Sequence, residues 1–108
     1  MNFVEVGKAS EVPVGSMKLF VVQGKEILVV NYEGKHYAMG GRCTHMNGDL
    51  SKGKLEGKTV TCPRHGSAFD VTTGACITGP KIVFLKFRAK SASTYEVKVE
   101  DGSLKVNI

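Results

Sequence analysis

Cys43-Thr44-His45 and Cys62-Pro63-Arg64-His65 are the two stretches on which the reading of this chain turns. Each carries a thiol and an imidazole, with one residue between them in the first and two in the second, and residues 46–61 separate the stretches. Two thiolates and two neutral imidazoles on separate loops can close around one Zn²⁺, which takes N and S ligands tetrahedrally. They can equally close around an iron–sulfur cluster in which two histidines stand in for two cysteines. Spacing alone leaves both open.

The flanking residues narrow the choice. The first pair continues Met46-Asn47-Gly48-Asp49-Leu50-Ser51-Lys52-Gly53, and the second His65-Gly66-Ser67-Ala68-Phe69-Asp70, followed by Thr73-Gly74 and Gly79-Pro80. This pattern resembles the Rieske [2Fe–2S] family, whose cluster loops read C-x-H and C-x-x-H at about this separation. The resemblance is sharp over residues 42–80 and architectural elsewhere. It implies one Rieske-type [2Fe–2S] cluster, with Cys43 and Cys62 on the buried iron and His45 and His65 on the outer one. It further implies that the Ser67 hydroxyl bonds a bridging sulfide and that Gly79-Pro80 covers the cluster. Phe69 stands where high-potential members carry a sulfur-bonding Tyr. Gly48 and Arg64 stand where respiratory members carry a cysteine pair that forms a disulfide, so that clamp is absent, in keeping with a reducing compartment.

Function follows as an expectation of the resemblance. It points to a one-electron carrier of ferredoxin type, taking electrons from a reductase and passing them to an oxygenase or other oxidoreductase. An electron-transfer subunit of a larger complex is the alternative within the same chemistry. A zinc-stabilised interaction module is the alternative outside it, and colour separates the two.

Charge arithmetic explains what the histidines do. Two Fe³⁺ and two sulfides carry plus two, which two thiolates cancel to zero, whereas four thiolates would leave minus two. Adding an electron to the neutral core is easier, consistent with about −150 to +300 mV for such centres against about −400 mV for plant-type ferredoxins. Each donor to a sulfur raises the potential further. By the resemblance Ser67 would supply one and Phe69 none, which places the expectation in the lower or middle part of that range. Imidazoles that ionise on their outer nitrogen would make the potential fall as pH rises.

A chain of 108 residues fits one domain, 1–108, and leaves no room for a second catalytic unit. An oxygenase iron needs two His and a carboxylate, and after the four ligands only His36 remains, which has no Cys or carboxylate at ligand spacing and reads as structural. Cys76 reads as a buried structural thiol. The start, Met1-Asn2-Phe3-Val4-Glu5-Val6, shows neither a basic leader nor the roughly 18 apolar residues of a membrane span, so the expectation is a cytoplasmic monomer. Net charge is +5, yet the lysines are scattered and not interleaved with aromatics. That disfavours nucleic acid and suits a redox partner with an acidic docking face. Arg42 and Arg64 flank ligands, either orienting such a partner or simply solvated.

Short apolar runs bounded by Gly, Asp, Asn and Ser recur, and helical periodicity is nearly invisible, so the fold class is all-β. A turn at Asp101-Gly102 pairs Val99 with Leu104, Val97 with Val106 and Tyr95 with Ile108, all on one face. A turn at Glu33-Gly34 sets Val30 opposite Tyr37, Leu28 opposite Met39 and His36 opposite Asn31. A meander of 18–22, 27–32 and 35–39 would form one wall of a small antiparallel sandwich or barrel. Residues 82–87 and the C-terminal hairpin would form the other. This base, 1–39 and 81–108, would carry a loop-rich cluster-binding insert, 40–80, in which only 58–62 and 67–71 look strand-like. A helical turn is expected near 8–12.

Overall fold

The run Ile27-Leu28-Val29-Val30 lacks polar alternation, and the fold buries both of its faces. In the computed structural model, which describes residues 3–42, 49–63, 67–78, 81–82, 85–86 and 93–108, this run lies in β3 (Lys25–Tyr32). Ile27 and Val29 point to one apolar cluster, with Val12, Phe20, Ala38, Leu104 and Val106. Leu28 and Val30 point to another, with Met39, Leu50, Val60, Cys62, Phe69 and Val71. A strand buried on both faces reads as a continuous hydrophobic run, and β3 therefore belongs to the middle of three layers.

That middle sheet contains β2 (Met17–Val22), β3, β4 (Lys35–Gly40) and β11 (Thr94–Tyr95), in the order β11-β4-β3-β2. The registers Val30↔Tyr37, Leu28↔Met39 and Asn31↔His36 are those expected from the sequence. Gln23-Gly24 and Glu33-Gly34, the hairpin turns, hold positive φ at both central positions, 51° and 78°, then 54° and 90°. Positive φ at both positions is the type I′ requirement, which matches the twist of the flanking strands.

One outer layer is β1 (Phe3–Lys8), β13 (Ser103–Asn107) and β12 (Val97–Glu100), with β13 central. The Asp101-Gly102 turn is again of this kind, and Val97↔Val106 and Val99↔Leu104 pair as expected. Three details of this wall differ from the sequence expectation. Tyr95 pairs with Ala38 rather than Ile108, because the chain changes sheets here, and the Asn107 amide donates to the Glu96 carbonyl at 2.9 Å. Val99 is 48 % exposed, since β12 is an edge strand and Val99 stands beside the turn, beyond the apolar cluster that takes in Val97. The described part of 82–87 pairs within its own two-stranded sheet, β9 (Lys81–Ile82) with β10 (Leu85–Lys86), and β1 takes the place beside β13.

The other outer layer is β5 (Lys54–Glu56), β6 (Thr59–Thr61), β7 (Ala68–Asp70) and β8 (Cys76–Thr78), paired in chain order. Of these, β6 and β7 match the strand-like stretches of the sequence, whereas β5 and β8 are too short and polar to stand out. The expected helical turn is a 3₁₀ turn over Ala9–Glu11, and a second spans Leu50–Lys52. The fold is all-β and antiparallel, and among the described residues no helix is long and apolar enough to cross a membrane.

Candidate functional site

The second ligand stretch leaves the end of β6. The Cys62 amide donates to the Ser67 carbonyl at 2.7 Å, and Thr61 pairs with Ala68, so residues 63–66 are bracketed by a closed hairpin neck. Cys62 is 3 % exposed and packs in the apolar cluster with Leu28 and Met39. Pro63 disfavours a helical conformation for Cys62 and keeps it extended. Ser67 is fully buried, and its Oγ has no hydrogen-bond partner among the described residues.

The first ligand stretch leaves β4 through Gly41 and Arg42. The Gly41 amide donates to the Glu26 carbonyl and the Leu50 amide to the Gly41 carbonyl, both at 3.0 Å. An antiparallel bridge joins Arg42 to Asp49, bracketing residues 43–48. Asp49 caps the following 3₁₀ turn, accepting from the Ser51 amide at 3.0 Å and the Ser51 hydroxyl at 2.5 Å. The Ser51 hydroxyl bond, opposed by burial and helped by the Arg42 and Lys52 charges, holds the Asp49 carboxyl below its ordinary value.

Arg42 is not simply solvated. Its Nε lies 2.7 Å from Glu26 Oε2 and its Nη2 3.2 Å from Oε1, a forked pair that raises the guanidinium pKa and ties the root of the first ligand stretch to β3. The two roots belong to one packed unit, because Leu50, Val60 and Cys62 share a cluster and Lys54 pairs with Thr61.

Cys43, His45 and His65 lie outside the described residues, as do Gly48, Arg64, Gly79 and Pro80. Cys62 and Ser67 are described and are brought together. Cys76 is partly buried against the same cluster and pairs in register with Phe69, which is fully buried. His36 is structural: its Nε2 lies 3.0 Å from the Val12 carbonyl. Asp49 was missed in the sequence, although Asp-x-Ser is a local turn signal. The Glu26–Arg42 fork has no such signal, being formed by residues on different strands.

A buried hydroxyl without an oxygen or nitrogen partner normally costs free energy, and Ser67 Oγ stands across the hairpin neck from Cys62. A sulfur-bridged cluster would give that hydroxyl an acceptor and the buried thiolate its cation, so these two residues fit such a group. Residues 2–88 match the family model of the Rieske [2Fe-2S] domain.

The chain belongs to the Rieske [2Fe-2S] domain family.

Its cofactor is accordingly a Rieske-type [2Fe–2S] cluster, which sets aside the zinc alternative. Among relatives of this Rieske chain, the ferredoxin component of the naphthalene 1,2-dioxygenase system of Pseudomonas putida is 32 % identical over 108 residues, covering 100 % of this chain and 97 % of its own. The ferredoxin component of the naphthalene 1,2-dioxygenase/salicylate 5-hydroxylase systems of a Ralstonia species is 35 % identical over 100 residues, covering 93 % and 89 %. A chain of the solved complex of reduced oxygenase and oxidized ferredoxin in carbazole 1,9a-dioxygenase superposes with a TM-score of 0.84 at 30 % identity, covering 96 % and 91 %.

Proposed function

We propose that this Rieske chain is a one-electron carrier that accepts electrons from a reductase and delivers them to an oxygenase, with no reaction of its own. The observation that carries this is likeness along nearly the whole length to ferredoxin components of dioxygenase systems. Bound, the cluster supplies a one-electron couple. Cys43 and Cys62 would hold it as thiolates and His45 and His65 as imidazoles, and Ser67 Oγ would donate to one of its sulfurs.

The protein's own part is to exclude water from the thiolate side. Leu28, Met39, Val60 and Phe69, all fully buried, pack around Cys62 and keep solvent from the thiolate side. The hairpin neck and the Arg42–Asp49 bridge set the bases of the two ligand stretches. In this reading 40–80 is the cluster-binding part and 1–39 with 81–108 the base that carries it. His36 has its Nε2 against the Val12 carbonyl, which leaves no second histidine for a catalytic iron. The carrier works in the cytoplasm.

Purified protein should be red-brown, contain iron and acid-labile sulfide in equal amounts, and give an EPR signal on reduction by dithionite. With NADH, the reductase and the oxygenase of the Pseudomonas putida naphthalene system, it should support oxygenation. Cys62→Ser should lose the colour and that support together. Colourless protein holding a single zinc would end the reading.

A further inference from the structure

A groove of about 380 Å³ opens where β4 ends, lined by Gly24, Lys25, Glu26, Gly40, Arg42 and Tyr95 among others. Gly40 contributes bare backbone to its lining. Among the described residues nothing requires glycine there: φ is not in the left-handed region, and a Cβ would meet none of them within 4 Å. Gly41 next to it is different, since a Cβ there would overlap Leu19. Gly40 ends β4, and a glycine at such a place leaves room for another backbone or ligand to approach closely.

The groove adjoins the root of the first ligand stretch, because Arg42, on its wall, precedes Cys43. Its charge is basic. Glu26 is committed to the Arg42 fork, whereas Lys25 is exposed and engages no carboxylate among the described residues.

We propose that this groove is where a redox partner docks, seating a carboxylate-bearing segment over Gly40 and against Lys25. This rests on the carrier reading and goes beyond it by naming the surface and the partner's chemistry. A charge-matched contact accelerates encounter more than it adds affinity, which suits a carrier that must release each partner. The segment's backbone lies on Gly40 and its carboxylate meets Lys25, which places the partner beside the first ligand stretch.

The test uses the cluster-loaded protein and an acidic plant-type [2Fe–2S] ferredoxin as donor, whose potential lies below that of His₂/Cys₂ centres. One electron leaves the reduced ferredoxin and one enters the oxidised Rieske protein. Stopped-flow rates should fall with salt for the wild type. They should drop by about tenfold or more in Lys25→Glu, and comparably in Gly40→Leu, which fills the groove without a charge change. Lys98→Glu makes the same net-charge change on the opposite outer sheet and should stay within about twofold of wild type. Amide NMR shifts induced by the ferredoxin should centre on Gly24, Lys25 and Gly40. Rates for Gly40→Leu and Lys25→Glu equal to wild type, or an equal loss in Lys98→Glu, would overturn the docking site. Wild type that dithionite itself cannot reduce would overturn the carrier reading instead.

Discussion

The amide of Cys62 donates to the carbonyl of Ser67 at 2.7 Å, so the thiol and the hydroxyl leave opposite strands of one closed neck. This bond closes the neck and places Ser67 Oγ, which has no partner among the described residues, beside a buried cysteine.

Ser67→Ala follows directly. In the proposed carrier the hydroxyl donates to a cluster sulfur and stabilises the more negative, reduced state, so the variant should keep its visible spectrum and lose potential. A bond that strengthens by about 1.4 kcal/mol on reduction corresponds to about 59 mV for one electron. Protein-film voltammetry reads the shift; a potential unchanged in a variant with an intact spectrum means the hydroxyl serves the turn and not the cluster.

Gly53 and Thr61 meet backbone to backbone, and a Cβ on Gly53 would overlap the Thr61 carbonyl oxygen. Neither side can yield as a side chain would, so Gly53→Ala should cost upwards of about 2 kcal/mol. Gly40→Ala, with open space at its Cβ, should be neutral or gain about 0.4–1 kcal/mol through the unfolded state. Urea midpoints of the two variants should therefore move in different directions from wild type or differ widely in size.

Asn31 is buried, its Nδ2 donating to the Val12 carbonyl and its Oδ1 accepting from the Gly34 amide, both at 2.9 Å. Asn31→Ala leaves a buried carbonyl and a turn amide short of a partner, for about 1–3 kcal/mol. His36 retains its own contact with Val12, which limits the loss. The reduction potential should not move, and a shift would place Asn31 in contact with the site rather than in the base.

Asp49 gives a pH dependence. Its carboxyl is held below the ordinary 3.8 by the Ser51 hydroxyl first, and also by the charges of Arg42 and Lys52. A depressed carboxyl pKa contributes stability that is complete above the unfolded value and is lost as pH falls through the folded one. The stability gap between wild type and Asp49→Asn should thus be constant from pH 5 to 7, within the region where both states are ionised, and should narrow below about pH 4. Urea unfolding followed by circular dichroism measures it; a gap that widens in acid contradicts the assignment.

How much of this was legible depended on how local the signal was. The hairpins at Glu33-Gly34 and Asp101-Gly102 were readable because positive φ at two successive positions selects a narrow set of residues, and alternation then set the register. The cofactor was readable from the two Cys-plus-His pairs and their glycine-rich flanks, through their resemblance to a known family. Strands β5 and β8 were not, because three polar residues carry no periodicity of their own. Tyr95 was assigned to the wrong neighbour, since alternation specifies which residues share a face but not which sheet an edge residue joins.

The sequence by itself determined the chemistry: which atoms can ligate, the charge they leave on the metal centre, and the turns that fold each hairpin, all properties of residues near one another in the chain. Only the tertiary structure decided that β3 is buried on both faces, that Glu26 reaches across from β3 to hold Arg42, and that Gly53 must be bare against Thr61. Those contacts join segments far apart along the chain, and long-range packing is chosen by the collective filling of a core rather than by any single stretch.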